Sequence, residues 1–244
     1  MDSIKKQART AALLYLLACL PAPLALVYVP GQLIVPGNAT ATADHLRSSG
    51  YLLRMGIGGE LLNACLMIFA VIALYRLFKG TSRTLAQAMA ALLLLSFPIT
   101  LLNLVNELAA LILVGGADFL APFTRPQLDA LAYMFMRLHT QGLIIAQIFW
   151  GLWLFPYGIL AIRSRLVPTL IGVIVMIAGY AYVANSLVLL FLPRLGRMVS
   201  PLATALEAGE IPIILWLIWG VKEKASIAPT FASSQPVGVA GVTP

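Results

Sequence analysis

Charged side chains are scarce in this chain. Of its 244 residues, 10% are Asp, Glu, Lys or Arg and 61% are hydrophobic, whereas an ordinary soluble domain has about 25% charged residues. A soluble fold of this composition has too little polar surface to cover its exterior, and lipid as the surrounding solvent removes that conflict. The composition therefore excludes an ordinary soluble domain and indicates an integral membrane protein.

Cysteine is nearly absent, and so are the common motifs of metal, nucleotide and serine-nucleophile sites. The two cysteines, Cys19 and Cys65, lie within apolar stretches and give no disulfide or metal-binding spacing. Residues 56–59 (GIGG) lack the strand and turn that a dinucleotide motif requires. A single histidine among the apolar stretches cannot ligate haem from both sides, and the spacing of the carboxylates fits no common zinc motif. The sequence therefore predicts no metal ion and no cofactor.

The net charge of +7 does not indicate a nucleic-acid partner. The basic residues form short clusters between apolar runs, with no basic stripe and no motif of an RNA- or DNA-binding module. Such clusters orient a membrane protein, because cytoplasmic segments carry an excess of Lys and Arg. The count predicts a multi-pass protein of the cell membrane with both termini cytoplasmic. The ten basic residues predicted inside are Lys5, Lys6, Arg9, Arg76, Lys79, Arg83, Arg163, Arg165, Lys222 and Lys224, against Arg47, Arg125, Arg194 and Arg197 outside.

Six apolar stretches are long enough to cross a bilayer, which takes about 20 residues. They cover residues 10–30, 51–78, 85–116, 128–162, 168–192 and 200–221. The predicted fold is all-α, a polytopic bundle of about six transmembrane helices forming one domain over residues 1–224. Residues 225–244 have no apolar stripe and are predicted to be a disordered, dispensable tail. Residues 128–137 are predicted to form an interfacial helix, with the fourth crossing starting near Leu138.

Polar and charged residues interrupt these stretches at positions that share helix faces. A charged side chain at the bilayer centre costs at least about 2.5–3.5 kcal/mol, so such residues are usually kept for a function. At 1.5 Å per residue, the polar positions of five stretches lie within ~10–15 Å of the predicted outer ends. The sequence therefore predicts one polar pocket in the outer half of the membrane. Its predicted residues are Arg54, Glu60, Asn63, Asn103, Glu107, His139, Gln141, Asn185, Glu207 and Glu210.

The alternative interpretation of these residues is structural. Polar side chains in membrane bundles often only hold helices together, and each such contact is worth about 0.6 kcal/mol. That interpretation suits the amides taken singly. Arg54 and Arg137 are too few to neutralise four carboxylates, so we expect at least one glutamate to be protonated at neutral pH. A buried glutamate that carries a proton suits general-acid chemistry or a proton relay.

Several short segments resemble a known family of bacterial membrane proteins, domain of unknown function 4386. The resemblance covers roughly residues 8–223 and implies a helical membrane fold, but the family name brings no activity. Its segments are residues 33–43 (LIVPGNATATA), 53–56 (LRMG), 138–142 (LHTQG), 149–152 (FWGL), 166–180, and Gly209-Glu210 with Trp216. A weaker similarity, of architecture alone, is to membrane-bound terpene cyclases, which place acidic residues in an early span and a late one. Glu60 and Glu210 would fill those two positions.

Two functions fit this pattern. The first is an enzyme acting on a lipid or isoprenoid-like substrate by acid–base chemistry. Glu60 or Glu210 would be the general acid, His139 the base or proton shuttle, and Arg54 the group that holds an anion. The second is a non-catalytic module for ligand binding, sensing or small-molecule transport. In both cases the predicted partners are membrane lipids and a hydrophobic small molecule. A continuous polar path to the cytoplasmic side would favour the second.

Overall fold

The computed structural model describes residues 3–221, which form helices joined by short turns. The helices are α1 (Ile4–Cys19), α2 (Val29–Leu33), α3 (Ala39–Ser48), α4 (Gly50–Phe78), α5 (Arg83–Val114), α6 (Arg125–Leu152), α7 (Leu154–Ser164), α8 (Thr169–Phe191), α9 (Pro193–Glu207) and α10 (Ile211–Trp219). A π-helix (Pro23–Tyr28) precedes α2, and 3-10 turns occupy Asp118–Leu120 and Ala208–Glu210. The predicted all-α fold is confirmed over this range. The predicted tail, residues 225–244, lies outside the described residues.

Six helical segments of the described chain are long and apolar enough to cross a membrane, as predicted. They are Ile4–Leu33, Gly50–Phe78, Arg83–Val114, Arg125–Ser164, Thr169–Phe191 and Pro193–Trp219, called spans 1 to 6 below. An even number of crossings puts both ends of the described chain on one side, here called the terminal end. There, Nε of Arg9 donates a hydrogen bond of 2.9 Å to the backbone oxygen of Ile218. Helix α3 lies between spans 1 and 2 and therefore marks the opposite side, the α3 end.

The spans close into a ring in chain order. Each span packs against the next, and α1 of span 1 also packs against α10 of span 6. Small residues allow close approach in this ring, since a Cβ added at Gly59 of α4 would lie 3.1 Å from the Cβ of Ala25. Large apolar side chains such as Phe69 and Leu102 are exposed on the outside of the ring. The exterior is thus suited to lipid.

The apolar core is divided into two clusters at different depths. The larger cluster lies toward the terminal end and includes Leu74, Trp153 and Ile214. The smaller cluster lies toward the α3 end and includes Leu33 and Leu53. Buried polar residues lie between the two clusters along spans 2, 3 and 4, and they form the site described below.

Prolines interrupt three of the spans. A proline has no backbone N–H, so it cannot complete the hydrogen bond to the carbonyl four residues earlier. In span 1, Pro21 and Pro23 stand at the start of the π-helix. In span 4, Pro156 follows the break between α6 and α7, and in span 6, Pro212 follows the 3-10 turn Ala208–Glu210. Irregular backbone within a membrane has to face protein or a cavity, and these breaks adjoin the cavity described below.

Two boundaries differ from the prediction. Span 6 begins at Pro193 instead of residue 200, because α8 ends at Phe191 and Pro193 starts α9 at once, where proline is favoured. Helix α6 runs without a break through the predicted boundary at Leu138. Its first turns pack against α3, where Arg47 forms an ion pair with the buried Asp129.

Candidate functional site

Five polar residues form a buried layer between the two apolar clusters. Glu60 lies on α4, Thr100, Asn103 and Glu107 lie on α5, and His139 lies on α6. The three residues of α5 share one face because they are spaced by three or four positions. All five are between 1% and 7% exposed. Adjacent spans thus bring together residues that are far apart in the sequence.

His139 lies between the two carboxylates of this layer. Its Nε2 is 3.3 Å from Oε1 of Glu60, and its Nδ1 is 3.6 Å from Oε1 of Glu107. Three of the predicted pocket residues, one each from spans 2, 3 and 4, therefore meet. An imidazole with a carboxylate on each side can take up a proton on one side and release one on the other.

Asn103 holds α6 against α5 beside His139. Its Nδ2 donates a hydrogen bond of 2.8 Å to the backbone oxygen of His139, and its Oδ1 accepts one of 2.9 Å from Nδ2 of Asn106. The Asn103 side chain fills the space into which a Cβ at Gly142 would project. The glycine is therefore required here for the close approach of the two helices. These contacts fix the height of His139 relative to α5.

A cavity of about 160 Å³ lies at the centre of the ring, on the terminal side of the polar layer. We call it the aromatic cavity, and all six spans contribute to its lining. Its aromatic lining residues are Tyr15, Phe97, Trp150, Trp153 and Tyr182. The Trp153 ring packs edge-on against Tyr15, with ring centroids 5.6 Å apart. Five of the twelve residues that line this space are therefore aromatic.

Glu210 is the carboxylic acid of the aromatic cavity. It ends the 3-10 turn before Pro212, is half-buried, and accepts a hydrogen bond from the hydroxyl of Tyr15. The turn packs closely on α8, because a Cβ added at Gly209 would lie 3.0 Å from Cγ2 of Ile174. The break in span 6 thus fixes the position of Glu210 at the cavity.

The aromatic cavity adjoins the polar layer without including it. A void of about 10 Å³ beside Glu60 shares Asn63 and Trp150 with the lining of the cavity, and a void of this size holds about one water molecule. Nδ2 of Asn63 donates a hydrogen bond of 2.7 Å to the backbone oxygen of Ala18. The single pocket predicted from the sequence is therefore two neighbouring spaces. Glu210 lies in the second space because span 6 begins earlier than predicted.

The other predicted residues lie outside both spaces. Asn185 donates a hydrogen bond of 3.2 Å to Oε1 of Glu207 and accepts one of 2.8 Å from Ser200, which joins spans 5 and 6. Gln141 is half-buried on α6. Arg54 is exposed on α4, about 120° around the helix from Glu60. The predicted anion-holding arginine is thus on the outer surface of the ring.

Three important residues of the aromatic cavity were not among the predicted site residues. Tyr15, Trp150 and Trp153 are aromatic residues within apolar stretches, and such residues usually pack in a core. The sequence did contain one indication of the cavity, the prolines at residues 21, 23, 156 and 212, which mark the helix breaks that adjoin it.

Comparison with known families agrees with the fold. The family model described as Domain of unknown function (DUF4386) matches residues 10–220. The chain belongs to this family. DUF4386 membership confirms the resemblance drawn from the short segments, and together with the six apolar helices it identifies a multi-pass membrane protein. No curated protein and no solved structure matches the chain.

Proposed function

We propose that this DUF4386 protein is an enzyme of the bacterial cell membrane that acts on a lipid or isoprenoid-like substrate by acid–base chemistry. The observation that carries the proposal is the aromatic cavity, in which one carboxylic acid, Glu210, faces five aromatic side chains. Both termini are taken to be cytoplasmic, as the basic residues indicate. In either orientation the aromatic cavity, which all six spans line, lies within the membrane, where an apolar substrate is concentrated.

The size and lining of the cavity favour a hydrocarbon group. A dry cavity of about 150 Å³ is large enough to bind benzene, and this one is about 160 Å³. It therefore accommodates a ring or a short branched segment of a larger molecule. The proposed partner is accordingly a hydrophobic small molecule or a membrane lipid with a reactive segment of this size.

Glu210 is suited to proton transfer within this space. As a general acid, its carboxyl group gives a proton to a substrate double bond, and the positive charge that forms on carbon is stabilised by the faces of the surrounding rings. The resulting carboxylate then takes a proton from the neighbouring carbon, which completes an isomerisation without any co-reactant. The Tyr15 hydroxyl orients the carboxyl group by donating to it.

The packing of the terminal end argues for a closed pocket. Between the cavity and that end lie Ala8, Ala11 and Ala12, all 0% exposed, within the larger apolar cluster. A transport pathway needs a polar route through this region, and the cluster is apolar. The geometry therefore favours an enzyme over the transport form of the alternative function.

The test compares lipid extracts of cells that produce the wild type, Glu210→Gln or Glu207→Gln, using untargeted mass spectrometry. Glu207→Gln is the matched control, because it removes a carboxylate of the same span that hydrogen-bonds to Asn185 outside the cavity. We expect one lipid class to be converted by the wild type and the control, and conversion to fall about 100-fold or more in Glu210→Gln. Identical lipid profiles for all three proteins would overturn the proposal of an enzyme. A lipid that still co-purified with the protein would then identify a binding module.

A further inference from the structure

We propose that Glu60, Glu107 and His139 bind one divalent transition-metal ion, of the type of Zn²⁺ or Mn²⁺, inside the bundle. The site lies outside the aromatic cavity, and the inference does not depend on the proposed chemistry at Glu210. The sequence predicted no metal site, because the three ligands come from three different spans and form no motif.

The spacing of the donor atoms fits a metal site. One ligand atom from each of the three residues lies within 4.8 Å of the other two. Around a tetrahedral zinc ion with bonds of about 2.0–2.1 Å, ligand atoms lie about 3.3 Å apart. The contact between Nε2 of His139 and Oε1 of Glu60 is 3.3 Å, so this pair already has the required separation. Oε1 of Glu107 lies 3.6 Å from the other ring nitrogen, Nδ1, so an ion bound at Nε2 requires the Glu107 side chain to move toward Glu60.

The hydrogen bonding of the cluster is incomplete without a further ligand. In residues 3–221, six buried side-chain nitrogen or oxygen atoms have no hydrogen-bond partner. Four of them are both Oε atoms of Glu60, Oε2 of Glu107 and Nε2 of His139. The three residues are 4%, 1% and 3% exposed. A buried polar atom without a partner is costly, and a cation bound among the three side chains would offset that cost.

The charge of the cluster indicates a divalent ion. Within the described residues, the ion pairs of Glu60 and Glu107 are with His139, and neither carboxylate has an arginine or a lysine within ion-pair distance. When both carboxylates are ionised and the imidazole is neutral, the cluster carries a charge of −2, which one divalent cation balances. Imidazole and carboxylate donors together suit zinc and neighbouring transition metals, whereas Ca²⁺ and Mg²⁺ prefer oxygen alone.

The surroundings hold the ligands in place. Asn103 fixes the backbone at His139, and Asn106 in turn fixes Asn103. The void beside Glu60 also contacts Thr100 and has room for about one water molecule. A metal ion at Glu60 could therefore keep a water ligand on the side that adjoins the aromatic cavity.

The test uses the full chain with a tag free of histidine, stripped of metal by a chelator in detergent and then given Zn²⁺ alone. We expect one zinc per chain by elemental analysis and a rise in the unfolding temperature. Glu60→Gln, Glu107→Gln and His139→Gln should each weaken binding by more than about 100-fold, the upper end of what loss of a ligand's hydrogen-bond partner costs. The matched controls are His45→Gln, which removes the other of the two histidines, and Glu207→Gln, and both should bind zinc like the wild type.

Co²⁺ added to the wild type gives a second measurement that needs no variant. A site with one imidazole and two carboxylates should give visible absorption bands of four- or five-coordinate cobalt, displaced by one equivalent of Zn²⁺. Zinc binding that is weak in the wild type, or that persists in the three variants, would overturn the proposal and leave a cluster that holds protons alone. A cobalt spectrum no different from that of the free ion would overturn it as well.

Discussion

The molecule contains two groups of carboxylates, one with arginine partners and one without. At the α3 end, Asp44 and Asp129 share Arg47, whose guanidinium lies 2.9 Å from Asp44 and also contacts Asp129. Arg125 adds a further contact of 3.0 Å to Asp44. In the polar layer, Glu60 and Glu107 have His139 as their ion-pair partner among the described residues, and His139 is a cation only when protonated. We refer to the first set as the paired group and to the second as the unpaired group.

We infer from this difference that the paired group stabilises the fold and that the unpaired group is kept for a function. Removing a paired carboxylate should destabilise the protein, because its arginine then loses its partner. An unpaired carboxylate in a dry interior raises the free energy of the folded state, so its removal should be neutral or stabilising. Residues that cost stability and are nevertheless present in a membrane interior are usually functional. Substitutions in the two groups should therefore have different effects on stability.

The first prediction concerns the side of the membrane that the paired group faces. In a background with Cys19→Ala and Cys65→Ala, Ala41→Cys should react with an impermeant thiol reagent added outside intact cells. Ser82→Cys should react only after the membrane is opened, because the basic residues predict a cytoplasmic loop there. Labelling of Ser82→Cys from outside would reverse the orientation, and the paired group would then face the cytoplasm.

The second prediction compares one carboxylate of each group by thermal unfolding in detergent with a chelator present. Asp129→Asn should lower the free energy of unfolding by about 2–3 kcal/mol, since the Arg47 side chain is only 24% exposed and loses a charged partner. Glu107→Gln should leave it unchanged or raise it by about 1 kcal/mol. Equal losses in the two variants would remove the distinction between the paired and unpaired groups.

The third prediction concerns the packing that positions the unpaired group. Gly142→Ala introduces a Cβ where the Asn103 side chain lies and should cost about 1–2 kcal/mol through overpacking. The same variant should weaken zinc binding, since Asn103 fixes the backbone at His139. Gly58→Ala is the control, because nothing lies within 4 Å of a Cβ at that position of α4. A loss of stability as large in Gly58→Ala would mean that the effect is not specific to the site.

The sequence was sufficient to predict the six spans, because crossing a bilayer requires about 20 apolar residues in a row and leaves a clear pattern. The meeting of Glu60, Glu107 and His139 was also predictable, since each lies at a similar depth on adjacent spans. The position of Glu210 was not, because the start of span 6 depends on Pro193 entering the helix directly after Phe191. The aromatic cavity was not predictable either. A cavity forms where side chains do not fill the space between helices, and this leaves no periodic pattern in the sequence.

The last prediction tests the exposed member of the paired group and has the smallest expected effect. Hydrogen bonds from Arg125 and then Arg47 hold the pKa of Asp44 below its ordinary value of 3.8. A carboxyl whose pKa is lowered on folding stabilises the fold fully above its unfolded pKa, and the stabilisation is lost as the pH falls through the folded pKa. Asp44→Asn should therefore be slightly less stable than the wild type at pH 7 and equal to it once the pH has fallen below the folded pKa of Asp44. Because Asp44 is exposed, the difference should also shrink in about 1 M salt, where the screening length is about 3 Å. The measurement is the difference in unfolding temperature between the two proteins across pH and salt, and a difference that grew on acidification would contradict the assignment of Asp44 to the paired group.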